Sequence, residues 1–267
     1  MIERAADLAP RNDDNAFGEC FWSWSHSGRL RMPWRARYIL IGGVALAAAV
    51  GLIGWNFFGG RDEVLKPDGG PIVTVMDFGR SFPLDPLPSG WRHRKFWTRS
   101  PMNVAFAMKD GVPGMRFETN DSASMLFRHV DIDLVTYPML AWRWYIELPI
   151  RSPLDERTRN GDDHPARLFL RFLTDHGEKR AMEVIWGNRL KAGDYKYIRG
   201  FPHFVADGGN DRVGRWLDER IDLARIDAEI WKDAAPAHLV DVAVFCDSDD
   251  THTASISYFA YVRLERR

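Results

Sequence analysis

From about position 75 onward, apolar and polar residues alternate with a period of two, the spacing of strands that bury one face. In 139–148, Leu140, Trp142, Trp144, Ile146 and Leu148 form the apolar side and Arg143, Tyr145 and Glu147 the other. In 166–174, Leu168, Leu170 and Phe172 oppose Arg167, Phe169 and Arg171; in 181–186, Met182, Val184 and Trp186 oppose Glu183 and Ile185. The stretch 239–246 sets Val240, Val242 and Val244 against Asp241. The last, 255–264, sets Ile256, Tyr258, Ala260, Val262 and Leu264 against Ser255, Ser257 and Arg263. Shorter strands are predicted at 73–77, 104–109, 115–119 and 124–130, parted by turn-formers such as Lys109-Asp110-Gly111 and Thr119-Asn120-Asp121. Only 222–231 reads as a helix. Some nine strands and one short helix predict an all-β, two-sheet antiparallel sandwich of jelly-roll type, because a βαβ series needs a helix after each strand.

Upstream the pattern changes. Residues 38–58 are apolar apart from Asn56, and at about 1.5 Å per residue 21 such residues span the roughly 30 Å core of a bilayer. Trp34 and Tyr38 at one end and Trp55, Phe57 and Phe58 at the other suit the two interfaces. Arg29, Arg31, Arg35 and Arg37 precede the span, which by the positive-inside rule keeps the N-terminus cytoplasmic. The expected organisation is a cytoplasmic tail (1–37), a transmembrane anchor (38–58), a glycine-rich linker (59–74) and an exported domain (75–267) on the periplasmic side of a bacterial inner membrane. A cleaved signal is the competing reading of the span, and Met32 offers an alternative translation start. Cys20 and Cys246 fall on opposite sides of the anchor, so no intrachain disulfide is expected.

Charge alters this picture little. The chain is 45% hydrophobic, which excludes a wholly disordered chain though the tail at 1–37 is expected to be disordered, and its 36 Lys+Arg against 37 Asp+Glu give no basic excess for phosphate neutralisation, so nucleic acid is not an expected partner.

The motifs Leu87-Pro88-Ser89-Gly90-Trp91, Ser122-Ala123-Ser124 and Tyr137-Pro138 resemble those of a bacterial family known as domain of unknown function 3047. So do Leu140-Ala141-Trp142-Arg143-Trp144, the run from Gly161 through Asp162, Asp163, His164, Pro165 and Ala166 to Arg167, then Trp186, Trp216, Arg220, and Asp247-Ser248-Asp249-Asp250-Thr251. The resemblance covers roughly 75–265. It implies an exported sandwich similar to galactose-binding and other carbohydrate-binding jelly rolls, and no activity. Asp250 stands where the family pattern has asparagine, and Arg225-Ile226 and Ile230-Trp231 replace its Asp-Tyr and Phe-Gly pairs.

Two acidic clusters adjoin strand ends. Asp247, Asp249, Asp250 and Thr251 offer the hard oxygens that Ca²⁺ requires, and Asp162 and Asp163 could complete such a site if the strands adjoin. The competing reading is turn capping, to which Asp is suited. Asp163 and Glu183 are the candidate catalytic pair for glycoside hydrolysis. The polar strand faces provide the candidate ligand-binding set: Arg143, Tyr145, Asp162, Asp163, Arg167, Arg171, Glu183 and Asp241, with rings and bidentate groups suited to a saccharide. Trp142, Trp144 and Trp186 are expected in the core. There is no G-x-S-x-G, H-E-x-x-H, phosphate loop or C-x-x-C. The leading expectation is a tethered, non-catalytic glycan-binding domain; a cell-envelope assembly partner and a glycan hydrolase or lyase are the alternatives.

Overall fold

The computed structural model describes residues 63–232 and 237–267. The expected tail (1–37) and anchor (38–58) lie outside them, and among the described residues no helix is long and apolar enough to cross a membrane.

Two sheets pack face to face. The first has six strands: β1 (Ile72–Asp77), β3 (Asn103–Lys109), β4 (Val112–Asn120), β6 (Met139–Leu148), β11 (Trp216–Asp222) and β13 (Ala254–Glu265). Its order is β11-β6-β13-β4-β3. β4 pairs with the first half of β13 and β1 with the second. The second sheet has seven strands: β2 (Trp91–Lys95), β5 (Ser124–Asp133), β7 (Arg167–Thr174), β8 (Lys179–Gly187), β9 (Tyr195–Ile198), β10 (Phe201–Gly208) and β12 (Ala237–Phe245). Its order is β2-β5-β12-β7-β8-β10-β9. The predicted all-β two-sheet sandwich is thus observed, with one departure: β8 and β10 run parallel. The sandwich also takes in residues that the glycine content assigns to the linker, because Leu65 bridges Val130 and β1 begins at Ile72.

The core forms where the period-two faces meet. Trp142 and Trp144 of β6 and Trp186 of β8 are 0, 0 and 1% exposed. Trp144 meets Trp186 across the layers at 5.8 Å between ring centroids. Rings of this size each bury roughly 150–250 Å², so they dominate the apolar burial.

In two strands the alternation changes phase. A bulge between Phe259 and Tyr261 of β13 puts Ser255, Ser257 and Phe259 inward ahead of Val262 and Leu264; Ile256 and Tyr258, expected in the core, face out. Tyr258 uses that position to donate its hydroxyl to Glu147. A bulge between Leu239 and Asp241 of β12 likewise buries Leu239 in place of Val240.

The predicted helix is α1 (Leu223–Trp231), capped by the Asp222 side chain, which accepts from Arg225 N. Leu223 and Ile226 face the core, and Asp227 meets the buried Arg180.

Candidate functional site

The outer face of the seven-stranded sheet carries one register row across all its strands. Arg92 (β2) is opposite Phe127 (β5), Phe127 opposite Ala243 (β12), and Ala243 opposite Phe169 (β7). Phe169 is opposite Glu183 (β8), Glu183 opposite His203 (β10), and His203 opposite Lys196 (β9). Alternation makes the row possible: Leu168, Leu170, Met182 and Val184 point inward, so their neighbours point out. Phe127 and Phe169 are half-buried and present ring surface, whereas Glu183, His203 and Lys196 are 5, 0 and 5% exposed. One end of the row is therefore an aromatic platform and the other a buried polar cluster.

Arg167 organises that cluster. Its guanidinium donates from Nη1 to Glu183 Oε2 at 2.6 Å, from Nε to Asp247 Oδ1 at 2.9 Å, and from Nη2 to the Asp162 carbonyl. Burial alone would lower its pKa, but Asp247, Glu183 and Asp162 together hold it well above the ordinary value, so the charge persists. Lys196 Nζ donates to Asp162 Oδ1 at 2.5 Å, the Glu156 carbonyl at 2.6 Å and His164 Nε2 at 2.7 Å. With Nε2 accepting, His164 Nδ1 carries the proton and donates to the Trp186 carbonyl at 2.6 Å. Burial, then the charges of Lys196 and Arg167, holds this imidazole well below its usual range and neutral. Burial also lowers the pKa of His203, whose Nε2 lies 3.4 Å from Glu183 Oε2.

A loop seals the cluster. The Glu156 carboxylate accepts from the backbone amides of Asn188, Arg189 and Leu190 at 2.8, 2.6 and 2.5 Å, pinning residues 150–166 to the end of β8. Within the loop, a Cβ at Gly161 would lie 2.3 Å from the Asp155 carbonyl, so the close approach requires glycine.

The two acidic segments do adjoin. Asp163, Asp247 and Asp249 offer oxygens that all lie within 4.8 Å of one another. Each carboxylate already has protein partners. Asp163 accepts from Thr251 N and Oγ1, both at 2.6 Å, and from Asp250 N at 3.3 Å. Asp247 accepts from Arg167, and Arg99 Nε lies 2.5 Å from Asp249 Oδ2. Asp250 pairs with Arg199. In this geometry Thr251 contributes donors to Asp163 rather than a ligand oxygen, and the guanidinium groups of Arg167, Arg99 and Arg199 supply the positive charge. Burial raises the pKa of the Asp163 carboxyl despite its hydrogen bonds.

The remaining candidate residues lie elsewhere. Arg171 and Asp241 pair on the same outer face, with Asp241 Oδ1 2.5 Å from His129 Nδ1. Arg143 and Tyr145, grouped with these residues as one candidate binding set, belong to β6 of the other sheet and so share no face with them. There Tyr145 packs with Trp216 and Tyr258 at 5.6 and 5.9 Å, and Arg143 covers the Trp216 ring at 5.4 Å. Glu183 and Asp163, the candidate catalytic pair, are 5 and 0% exposed.

Sequence reasoning missed Lys196, His203 and Phe201, because β9 and β10 were not expected. The signal was Tyr-Lys-Tyr-Ile and Phe-Pro-His-Phe around Arg199-Gly200, a two-residue turn whose φ angles are 55° and 89°.

Residues 89–263 match the family described as "Protein of unknown function (DUF3047)". No protein of curated function matches. Similar solved structures include a family 30 carbohydrate-binding module of a cellulosomal cellulase from Clostridium thermocellum, with a TM-score of 0.37, 8% identity, and coverage of 73% of this chain and 98% of that one. Another is the xyloglucanase domain of NopAA from Sinorhizobium fredii, in complex with cellobiose, at 0.35 and 9%, covering 67% and 94%. A loop-swap mutant of Xyn11A from Necallimastix patriciarum gives 0.30 and 7%, covering 75% and 97%.

Proposed function

For this chain, which belongs to the DUF3047 family of proteins of unknown function, we propose non-catalytic glycan binding by a jelly-roll domain tethered to the bacterial inner membrane and facing the periplasm. The tether is the 38–58 segment and its Arg-rich flank. The observation that carries the binding reading is the register row itself. Half-buried Phe127 and Phe169 present ring surface on strands whose continuation along the row is locked by buried ion pairs. Sugar rings stack their C–H faces on such platforms; the polar group open to their hydroxyls is Arg171, exposed two positions beyond Phe169 on the same face of β7, while the sealed cluster holds the strands beneath in place.

Two features favour binding over hydrolysis. The Glu183 carboxylate is held by Arg167, and Asp163 is wholly buried and accepts from the 250–251 turn. A glycosidase needs one carboxyl to protonate the leaving oxygen and another to face the sugar. The mixed polar and aromatic outer face also favours a saccharide over an assembly partner, whose docking calls for a contiguous apolar patch.

A glycan-array screen of the detergent-solubilised full chain tests this reading. Retention of a defined saccharide class without its cleavage supports it; no retention across plant, bacterial and envelope glycans overturns it.

A further inference from the structure

We propose that the edge strand β2 and the turn after it dock on an anionic lipid surface, with Trp97 entering the headgroup layer beside Arg94 and Lys95. This rests on the tether reading and extends it from the anchor to the folded domain.

β2 ends the seven-stranded sheet, and 91–100 contains Arg92, His93, Arg94, Lys95 and Arg99 with no acidic residue. Arg99 is committed to Asp249, whereas Arg94 and Lys95 are exposed. Trp97 is 102% exposed, ahead of Val135 at 71% and Met108 at 67%. Basic residues on an edge strand are explained by protection against strand pairing alone. A bare indole is not, because it leaves a large apolar surface in water. The Arg94 guanidinium lies over the Phe96 ring at 5.6 Å, which holds a cation against the residue before Trp97. Tryptophan beside Lys and Arg is the combination that the interface of an anionic bilayer favours.

Charge complementarity selects an anionic bilayer as the occupant, since the exposed indole lies in a stretch with basic and no acidic residues; the chain before the described residues is long enough to permit it. The described chain starts against β2: a Cβ on Gly90 would lie 2.6 Å from the Glu63 carbonyl. Two residues later, Leu65 N donates to His129 O at 3.0 Å and Leu65 O accepts from Asp131 N at 2.9 Å on β5. Only residues 59–62 separate Glu63 from Phe58, where the predicted anchor ends, a reach of roughly 17 Å for extended chain.

The test uses the full chain with Cys20→Ser and a spin label at Thr98→Cys, in vesicles of phosphatidylcholine with or without phosphatidylglycerol. A second chain carries the label at Tyr197→Cys, on the opposite edge of the same sheet. In anionic vesicles the label at 98 should gain several-fold in oxygen accessibility relative to a water-soluble nickel complex, while that at 197 stays aqueous. Arg94→Glu with Lys95→Glu, or Trp97→Ala, should return the label at 98 to the aqueous value. An aqueous label at 98 in a chain that floats with anionic vesicles overturns the docking and leaves the tether standing. Dipolar broadening between labels, or shielding at 98 by soluble glycan alone, overturns it in favour of a second copy or a saccharide. A chain that does not float overturns the tether reading and the docking with it.

Discussion

The Arg167 guanidinium donates to the Glu183 carboxylate at 2.6 Å between neighbouring strands, and the two residues are only 2 and 5% exposed. A pair this deep adds little net stability over a well-packed apolar pair, but removing one partner strands the other. Because Arg167 also serves Asp247 and the Asp162 carbonyl, it fixes the polar end of the outer face.

Arg167→Met should therefore destabilise the domain by about 3–5 kcal/mol, the usual loss when a buried ion pair is broken. For a domain of this size the melting temperature falls on the order of 10 °C. Adding Glu183→Gln should restore part of the loss, since the two residues are coupled. Thermal unfolding of both variants checks this; additive losses would show that the pair is not a unit.

Glu219 gives a pH signature. Burial, then the charge of Asp207, pushes its carboxyl up to about 7, while Trp144 Nε1 donates to it at 3.3 Å. A raised carboxyl takes up a proton on folding, so its stabilisation is fully present below the unfolded pKa of 4.5 and is lost as pH rises through about 7. Glu219→Gln should thus gain on the parent by about 1 kcal/mol between pH 5 and pH 8, after allowing for screening of this partly exposed group. Melting temperatures at the two pH values measure it, and a parallel shift of both proteins would contradict it.

At the acidic turns, cationic side chains already sit on the carboxylates, Arg167 on Asp247 and Arg99 on Asp249. Ca²⁺ at millimolar concentration should leave the melting temperature of the parent unchanged. Arg99→Ala exposes Asp249 and should create a Ca²⁺-dependent rise. A calorimetric heat of Ca²⁺ binding to the parent would show that the cation displaces the arginine.

Much of this architecture was legible because alternation reports a strand and its faces together. It gave nine of the thirteen strands of the described residues and the helix, put Trp142, Trp144 and Trp186 in the core, and put Arg167, Glu183 and Asp241 on the outer face. It failed where a bulge changes phase, at Leu239–Val240 and up to Phe259, since one extra residue sets the side chains on its two sides in opposite phase. It also failed to sort strands between sheets. Arg143 and Arg171 have the same local pattern yet lie on different layers, and only long-range pairing decides that. Lys196 escaped because a four-residue strand carries too few positions to show a period, and His203 because Phe201–Gly208 does not alternate apolar with polar residues.

The central claim is that Phe127 and Phe169 form the platform on which a saccharide stacks. Isothermal titration of the saccharide selected by the array, into the parent and into Phe127→Ala/Phe169→Ala, tests it most directly. Each stacked ring contributes about 1 kcal/mol or more. The account therefore predicts a loss of at least about 30-fold in affinity, with the fold retained because the rings are half-exposed. A folded double variant that binds within threefold of the parent would contradict it.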